Sequence, residues 1–186
     1  MKEEKIYKLI KKEWEEISPP ILISGKEWYW LHREYCQNLA LKNKLTLQQV
    51  AGIFSALSPL KSVAENRRLC EWFLEGKERG HTKLQIEKAK KIKNIVIVEQ
   101  IDNVLKGDKT IAFFRHLYTP WDDNYTVIDR HMIKICNKGV EFNITPKRYK
   151  IIQNSITRLA KSVNLHVSET QACLWYLAKE KYGNNV

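Results

Sequence analysis

Apolar residues recur every three to four positions along most of the chain, the spacing of helices with one buried face. Ile6, Leu9, Ile10, Trp14 and Ile17 predict a helix over residues 3–17, stopped by Ser18-Pro19-Pro20. Trp28, Leu31, Tyr35, Leu39 and Leu41 predict a second from about residue 26 to 42. Thr46 and Gln49 form a capping-box pattern that opens a third, closed by Pro59. A fourth covers about 62–74 and ends near Gly76, and Thr82 opens a fifth carrying Leu84, Ile86, Ala89, Ile92 and Ile95. Residues 94–101, NIVIVEQI, are rich in strand-favouring side chains. They have no partner strand, so they read as a helix end followed by a short helix. Gly107-Asp108 opens a helix through Tyr118, residues 119–124 make a polar loop, and another helix runs from about Asp129 to Asn137. Thr145-Pro146 starts a helix to about Val163. Ser168-Glu-Thr-Gln171 reads as a capping box for a last helix, ended by Gly183. The pattern predicts an all-α protein of about eight to ten helices.

Composition narrows the class. With 186 residues and 44% hydrophobic content, the chain suits one domain, or one compact domain split into two lobes. No window approaches the roughly 20 apolar residues of a membrane span. The segment MKEEKIYKLIKKEWEEI has no apolar core of the secretory kind. The four cysteines, Cys36, Cys70, Cys136 and Cys173, lie far apart and read as reduced thiols, not a disulfide frame or a zinc site. A cytoplasmic monomer without metal, cofactor or membrane is expected.

Charge points to a partner. The chain carries 32 Lys plus Arg against 21 Asp plus Glu, a formal net charge of +11. Residues 130–186 hold ten basic and three acidic side chains, for +7. Lys83, Lys88, Lys90, Lys91 and Lys93 form a second cluster, offset only by Glu87, while residues 1–27 are neutral with six of each sign. One such cluster is ordinarily a solvated helix face. Two in a chain of this net charge favour nucleic acid.

The chemistry concentrates in residues 103–135, where a Lys follows a Gly turn at a helix start and an Asp opens the next helix after a β-branched run. Gly107, Lys109 and Thr110 match a Gly-x-Lys-Thr hairpin, and Ile128, Asp129 and His131 match a Val-Asp-Thr-His pattern with Arg130 in place of Thr. In these motifs the chain resembles the helix-hairpin-helix Gly-Pro-Asp (HhH-GPD) superfamily of DNA glycosylases, the group that includes endonuclease III-like enzymes. IFSALSP (53–59), KAKKIKNI (88–95), the Cys136-Asn137-Lys138 run and TQACLWYLAKEKYG (170–183) resemble further family segments in the same order. The similarity covers roughly residues 46–183. Leu105 stands where the hairpin's first Gly would be, the family's intercalating Gln maps onto Leu57 or nearby, and no four-cysteine tail for an iron–sulfur cluster follows residue 183.

The resemblance implies a two-lobed helical fold over residues 1–186 with a cleft between the lobes, the hairpin near 99–118 and residues 1–45 as an N-terminal extension. It implies that double-stranded DNA is the partner and that a base is flipped out and excised. Asp129 is the catalytic carboxylate it implies, stabilising cationic character on the sugar. Lys109 is the amine that would add lyase activity by attack on C1′. At a reference pKa near 10.4 only about one lysine in 2,500 is neutral at pH 7. A partly desolvated place at a helix N-terminus is therefore expected of Lys109. Lys106, Gly107, Asp108, Thr110, Arg130, His131 and Ser58 are the DNA-contact candidates, and Trp28, Trp30 and Trp121 the base-pocket candidates. Asp108 sets a negative charge where the phosphate would lie.

Plainer readings stand beside these. Asp129 could be only an N-cap, as most Asp at helix starts are. Lys109 could be a solvated first-turn residue, and His131 could be merely packed. The fold could equally serve as a non-catalytic DNA- or RNA-binding module, or as a basic interaction domain. The target base is open, with excision of a virus-modified base an alternative to repair.

Overall fold

The computed structural model describes residues 2–183, which form ten α-helices and no strand. In chain order these are α1 (Glu3–Trp14), α2 (Pro19–Asn43), α3 (Leu47–Ala56), α4 (Val63–Leu74), α5 (Lys83–Lys93), α6 (Val98–Leu105), α7 (Asp108–Tyr118), α8 (Arg130–Ile135), α9 (Pro146–Val163) and α10 (Val167–Tyr182). The all-α class expected from periodicity is therefore observed. The β-branched stretch resolves into a loop after α5 and the short α6.

Side-chain caps set most boundaries. Thr46 Oγ1 accepts from Gln49 N at 3.3 Å while Gln49 Oε1 accepts from Thr46 N at 2.8 Å, and Ser62 and Glu65 repeat the device at α4. Thr82 and Thr145 cap α5 and α9. Two expected boundaries are corrected. Pro19 and Pro20 do not merely stop α1 but open α2, seven residues before the expected start near 26. The first helical positions have no amide bond to lose, so proline costs nothing there. In place of the expected capping box at Ser168, α10 is capped from His166, whose amide donates to Glu169 Oε2 at 2.9 Å. Ser168 is buried and its hydroxyl donates instead to Pro120 O at 2.7 Å.

The chain forms two compact units, residues 1–30 with 119–186 and residues 31–118, and the boundary falls inside α2. In the first, α1 packs on α9, and α8 on α10. Its core joins Ile6, Tyr7 and Ile10 of α1 to Met132 and Ile135 of α8, Ile152 and Ile156 of α9, and Leu174 and Leu177 of α10. Within residues 1–45, α1 thus supplies core side chains to this unit. At Gly25 the α2 backbone meets α10 so closely that a Cβ would lie 2.6 Å from Cys173 Cα. Only glycine permits that approach.

In the second unit α3 is the hub. Nine of its residues are buried, and it packs against α4, α5, α6 and α7. The α6 and α7 helices form a hairpin joined by Lys106 and Gly107. Leu105, at the first-glycine position of the hairpin, ends α6, and the turn is made by Lys106 at φ +54° and Gly107 at φ +87°. A lysine in this region stores strain of about 1 kcal/mol or more. Two bonds hold the turn in place. Lys88 Nζ donates to Leu105 O at 2.7 Å, and Arg115 grips the Asp102 carboxylate in a forked ion pair, with Nε 3.2 Å from Oδ2.

Candidate active site

Asp129 caps α8 from an extended backbone conformation. Its Oδ1 accepts from the amides of His131 (2.9 Å) and Met132 (3.1 Å), and its Oδ2 accepts from the indole Nε1 of Trp175 at 3.0 Å. Val127 and Ile128 are buried immediately before it, which anchors the carboxylate to the core. Three N–H donors face it, so it is held in one orientation as a hydrogen-bond acceptor.

Aromatic rings cluster around its indole partner Trp175 within the same unit. Trp175 packs at 6.2 Å from Trp28, at 5.3 Å from Tyr176 and edge-on to His131 at 6.0 Å. The Lys179 ammonium lies 4.4 Å over the Trp175 ring. Tyr29 is buried edge-to-face with Trp28 and donates to Gln171 Oε1 at 2.8 Å. Burial, then the charge of Asp129 and the nearby Tyr149, push the Tyr29 phenol far above its ordinary value. Burial lowers the His131 pKa, opposed by Asp129 and reinforced by Arg130, Lys134 and Lys179. Its Nδ1 is buried without a hydrogen-bond partner.

Of the three tryptophans singled out in the sequence, Trp28 is buried, whereas Trp30 and Trp121 are 38% and 48% exposed. A helix cannot bury three successive aromatic residues, and here Trp30 is the one turned outward. It stacks on Trp121 with centroids 5.8 Å apart and planes 25° apart, while its indole donates to Glu169 Oε1 at 3.3 Å. Arg130, next to Asp129, is exposed.

The hairpin residues lie in the other unit. Lys106, Gly107, Asp108 and Lys109 are all exposed and Thr110 is half-buried. Lys109 is the second residue of α7, as expected, but its side chain is exposed, so the partly desolvated setting expected of it is absent. Thr110 and Ile111 turn their amides back to Gly107 O at 3.1 Å, and Asp108 occupies the first turn. Ser58 is half-buried and donates to Ser55 O at 2.9 Å.

Leu57, the position matched to an intercalating side chain, is fully buried at the end of α3 and cannot enter a duplex. Three residues on, Leu60 is 100% exposed with φ +61°. Its sequence signal is faint, an apolar residue set directly after Ser58-Pro59 in a turn, and the helical pattern does not single it out. Trp175 escapes sequence reasoning for another reason: it reads as one more core aromatic at helical spacing.

Among the described residues, no group of three or more His, Cys, Asp or Glu side chains is placed to hold a metal ion, and no helix is long and apolar enough to cross a membrane. The four cysteines are free and buried.

These features define an all-α protein with an aromatic-lined, N-capping aspartate. The chain belongs to the family described as "Family of unknown function (DUF7178)", whose family model matches residues 1–182. No curated protein and no solved structure matches it.

Proposed function

We propose that the protein is a DNA glycosylase of helix-hairpin-helix type, excising a damaged or virus-modified base from double-stranded DNA. The observation that carries the reading is the Asp129 carboxylate, fixed by Trp175 Nε1 and two α8 amides near Tyr29 and His131. The resemblance of residues 103–135 to glycosylase motifs supports it.

Excision breaks the bond between the sugar C1′ and the base nitrogen, and the electron pair leaves with the base. The sugar becomes cationic, and a fixed carboxylate lowers the energy of that state without reorganising. Water then adds to C1′ and loses one proton, the departing base nitrogen takes up one, and an abasic site and the free neutral base remain. The exposed stack of Trp30 and Trp121 offers a π-surface for an unpaired base. The fully exposed Leu60 is suited to wedge between bases in place of the buried Leu57. Lys106, Gly107 and Lys109 supply amides and charge for a backbone phosphate.

A second reading is a non-catalytic helix-hairpin-helix module for DNA or RNA. It is favoured by the exposure of Lys109 and by the two α8 amides on Asp129 Oδ1, which already make it a complete cap. Asp129→Asn separates the two. On the enzyme reading it abolishes base release from modified duplex DNA and leaves duplex affinity within about threefold. Equal base release by the variant and the wild type overturns that reading.

A further inference from the structure

The neutral charge count of the N-terminal segment conceals a segregation. On α1 and its C-terminal flank, four of the five acidic side chains are taken up by neighbours and Glu15 is exposed. Glu3 accepts from Asn154 Nδ2 at 3.1 Å, Glu4 pairs with Arg158 at 2.7 Å, and Glu13 and Glu16 both hold Lys181, at 3.0 and 2.5 Å. The lysines are not. Lys2, Lys5, Lys8 and Lys12 recur three to four residues apart, the spacing that aligns side chains along one helix face. With Leu9, the neutralised Glu4, Asn137 and Lys138 they line an open groove of about 750 Å³. All five lysines are exposed, and none makes an ion pair among the described residues. Lys138 enters from the turn after α8 with φ +50°, followed by Gly139 at φ +88°.

Five like charges along one groove repel one another, and the one carboxylate among them, Glu4, is already paired with Arg158, so a further anion is favoured there. We propose that this groove binds the phosphate backbone of DNA, as a contact separate from the Asp129 site. The dimensions fit. Lys2 to Lys12 covers about 15 Å of helix axis, the length of about four or five phosphates of one strand at ~3.4 Å each. A lipid surface fits worse. An interfacial helix inserts an apolar face, whereas Ile6, Tyr7 and Ile10 of α1 are buried in the core against α8, α9 and α10. The inference goes beyond the base-excision reading and does not depend on it.

The test is fluorescence anisotropy with an unmodified labelled duplex of about 20 base pairs, across 50–400 mM KCl. The variant K5Q/K8Q/K12Q/K138Q is compared with wild type and with the charge-preserving K5R/K8R/K12R/K138R. Removing one lysine–phosphate pair reduces the slope of log affinity against log salt by about 0.9. The Gln variant is expected to bind at least tenfold more weakly at 50 mM KCl, with a slope shallower by two or more, while the Arg variant binds as wild type. Circular dichroism melting checks that both variants fold, and Lys8→Gln with Lys138→Gln is the milder substitute. Unchanged affinity and slope overturn the proposal. So does a loss confined to vesicles of phosphatidylserine and phosphatidylcholine, or to poly-glutamate. Because the duplex is unmodified, weakened binding stands even if wild type releases no base, and base release with unaltered binding removes the groove alone.

Discussion

Trp175 Nε1 donates to Asp129 Oδ2 at 3.0 Å, joining α10 to the N-cap of α8 across 46 residues of sequence. The bond gives the carboxylate a second function beyond capping: it fixes the oxygen that α8 does not use. Trp175→Phe keeps most of the ring and its contact with His131 while deleting the donor. A hydrogen bond to a charged group contributes about 1.5–3 kcal/mol, so the variant is expected to lose about that much stability in urea unfolding. A loss below about 0.5 kcal/mol would show the bond to be incidental.

Asp129→Asn keeps an oxygen for the α8 amides, and Asn caps about as well as Asp. It turns an amide nitrogen toward Trp175, setting donor against donor. The destabilisation of Asp129→Asn is therefore expected to shrink in the Trp175→Phe background. A double-mutant cycle reads the coupling, about 1 kcal/mol or more for residues in contact. Strict additivity would contradict the pairing.

Stability should depend on pH through His131. Burial lowers its pKa in the folded chain, helped by Arg130, Lys134 and Lys179 and opposed by Asp129. An unfolded histidine titrates near 6.5. As pH falls below about 6.5 the unfolded chain takes up the proton first, so this contribution is complete above that pH and declines as pH falls toward the folded value. His81 shifts the same way, chiefly through burial with Lys61 adding repulsion. His131→Gln should flatten the stability decline between about pH 7 and 5, and His131→Gln with His81→Gln should flatten it further. A slope identical to wild type in the single variant contradicts the assignment.

The hairpin turn depends on the Asp102–Arg115 fork, whose side chains are only 19% and 15% exposed. Removing one partner leaves the other charge largely desolvated. Arg115→Ala is expected to cost about 2–3 kcal/mol, lowering Tm by roughly 4–12 °C. Arg115→Lys should recover only part, since an ammonium cannot span both oxygens. Full recovery with Lys would deny the fork its importance.

The thiols should be inert. Burial raises Cys36, Cys136 and Cys173 to about 12 and pushes Cys70 up as well. A thiolate is the reactive form. Titration with a chromogenic disulfide at pH 8 is expected to detect almost no thiol in the native protein and all four after denaturation. Rapid native labelling would place a cysteine at the surface.

Local chemistry makes much of the helix pattern legible. Thr46 with Gln49 and Thr145 with Pro146 announce their helices because each residue acts within four positions of itself. Asp129 as a helix-opening residue is legible for the same reason. Its indole partner is not, since nothing near residue 129 points to residue 175. Pro19-Pro20 reads as a stop because a proline's constraint suits both the end of one helix and the start of the next. The N-terminal lysines are hidden by counting. A net charge of zero over residues 1–27 does not reveal that Glu4, Glu13 and Glu16 are paired while Lys5, Lys8 and Lys12 face a groove.

Base excision itself is tested most directly by an abasic-site assay. Wild type and Asp129→Asn are incubated with duplexes carrying unmodified, deaminated, alkylated, oxidised and hypermodified bases, and strand breakage is scored after alkali. The glycosylase account predicts alkali-labile sites at one class of modified base with wild type, and at none with Asp129→Asn. No labile site from wild type on any of the duplexes, or equal cleavage by both proteins, would contradict it.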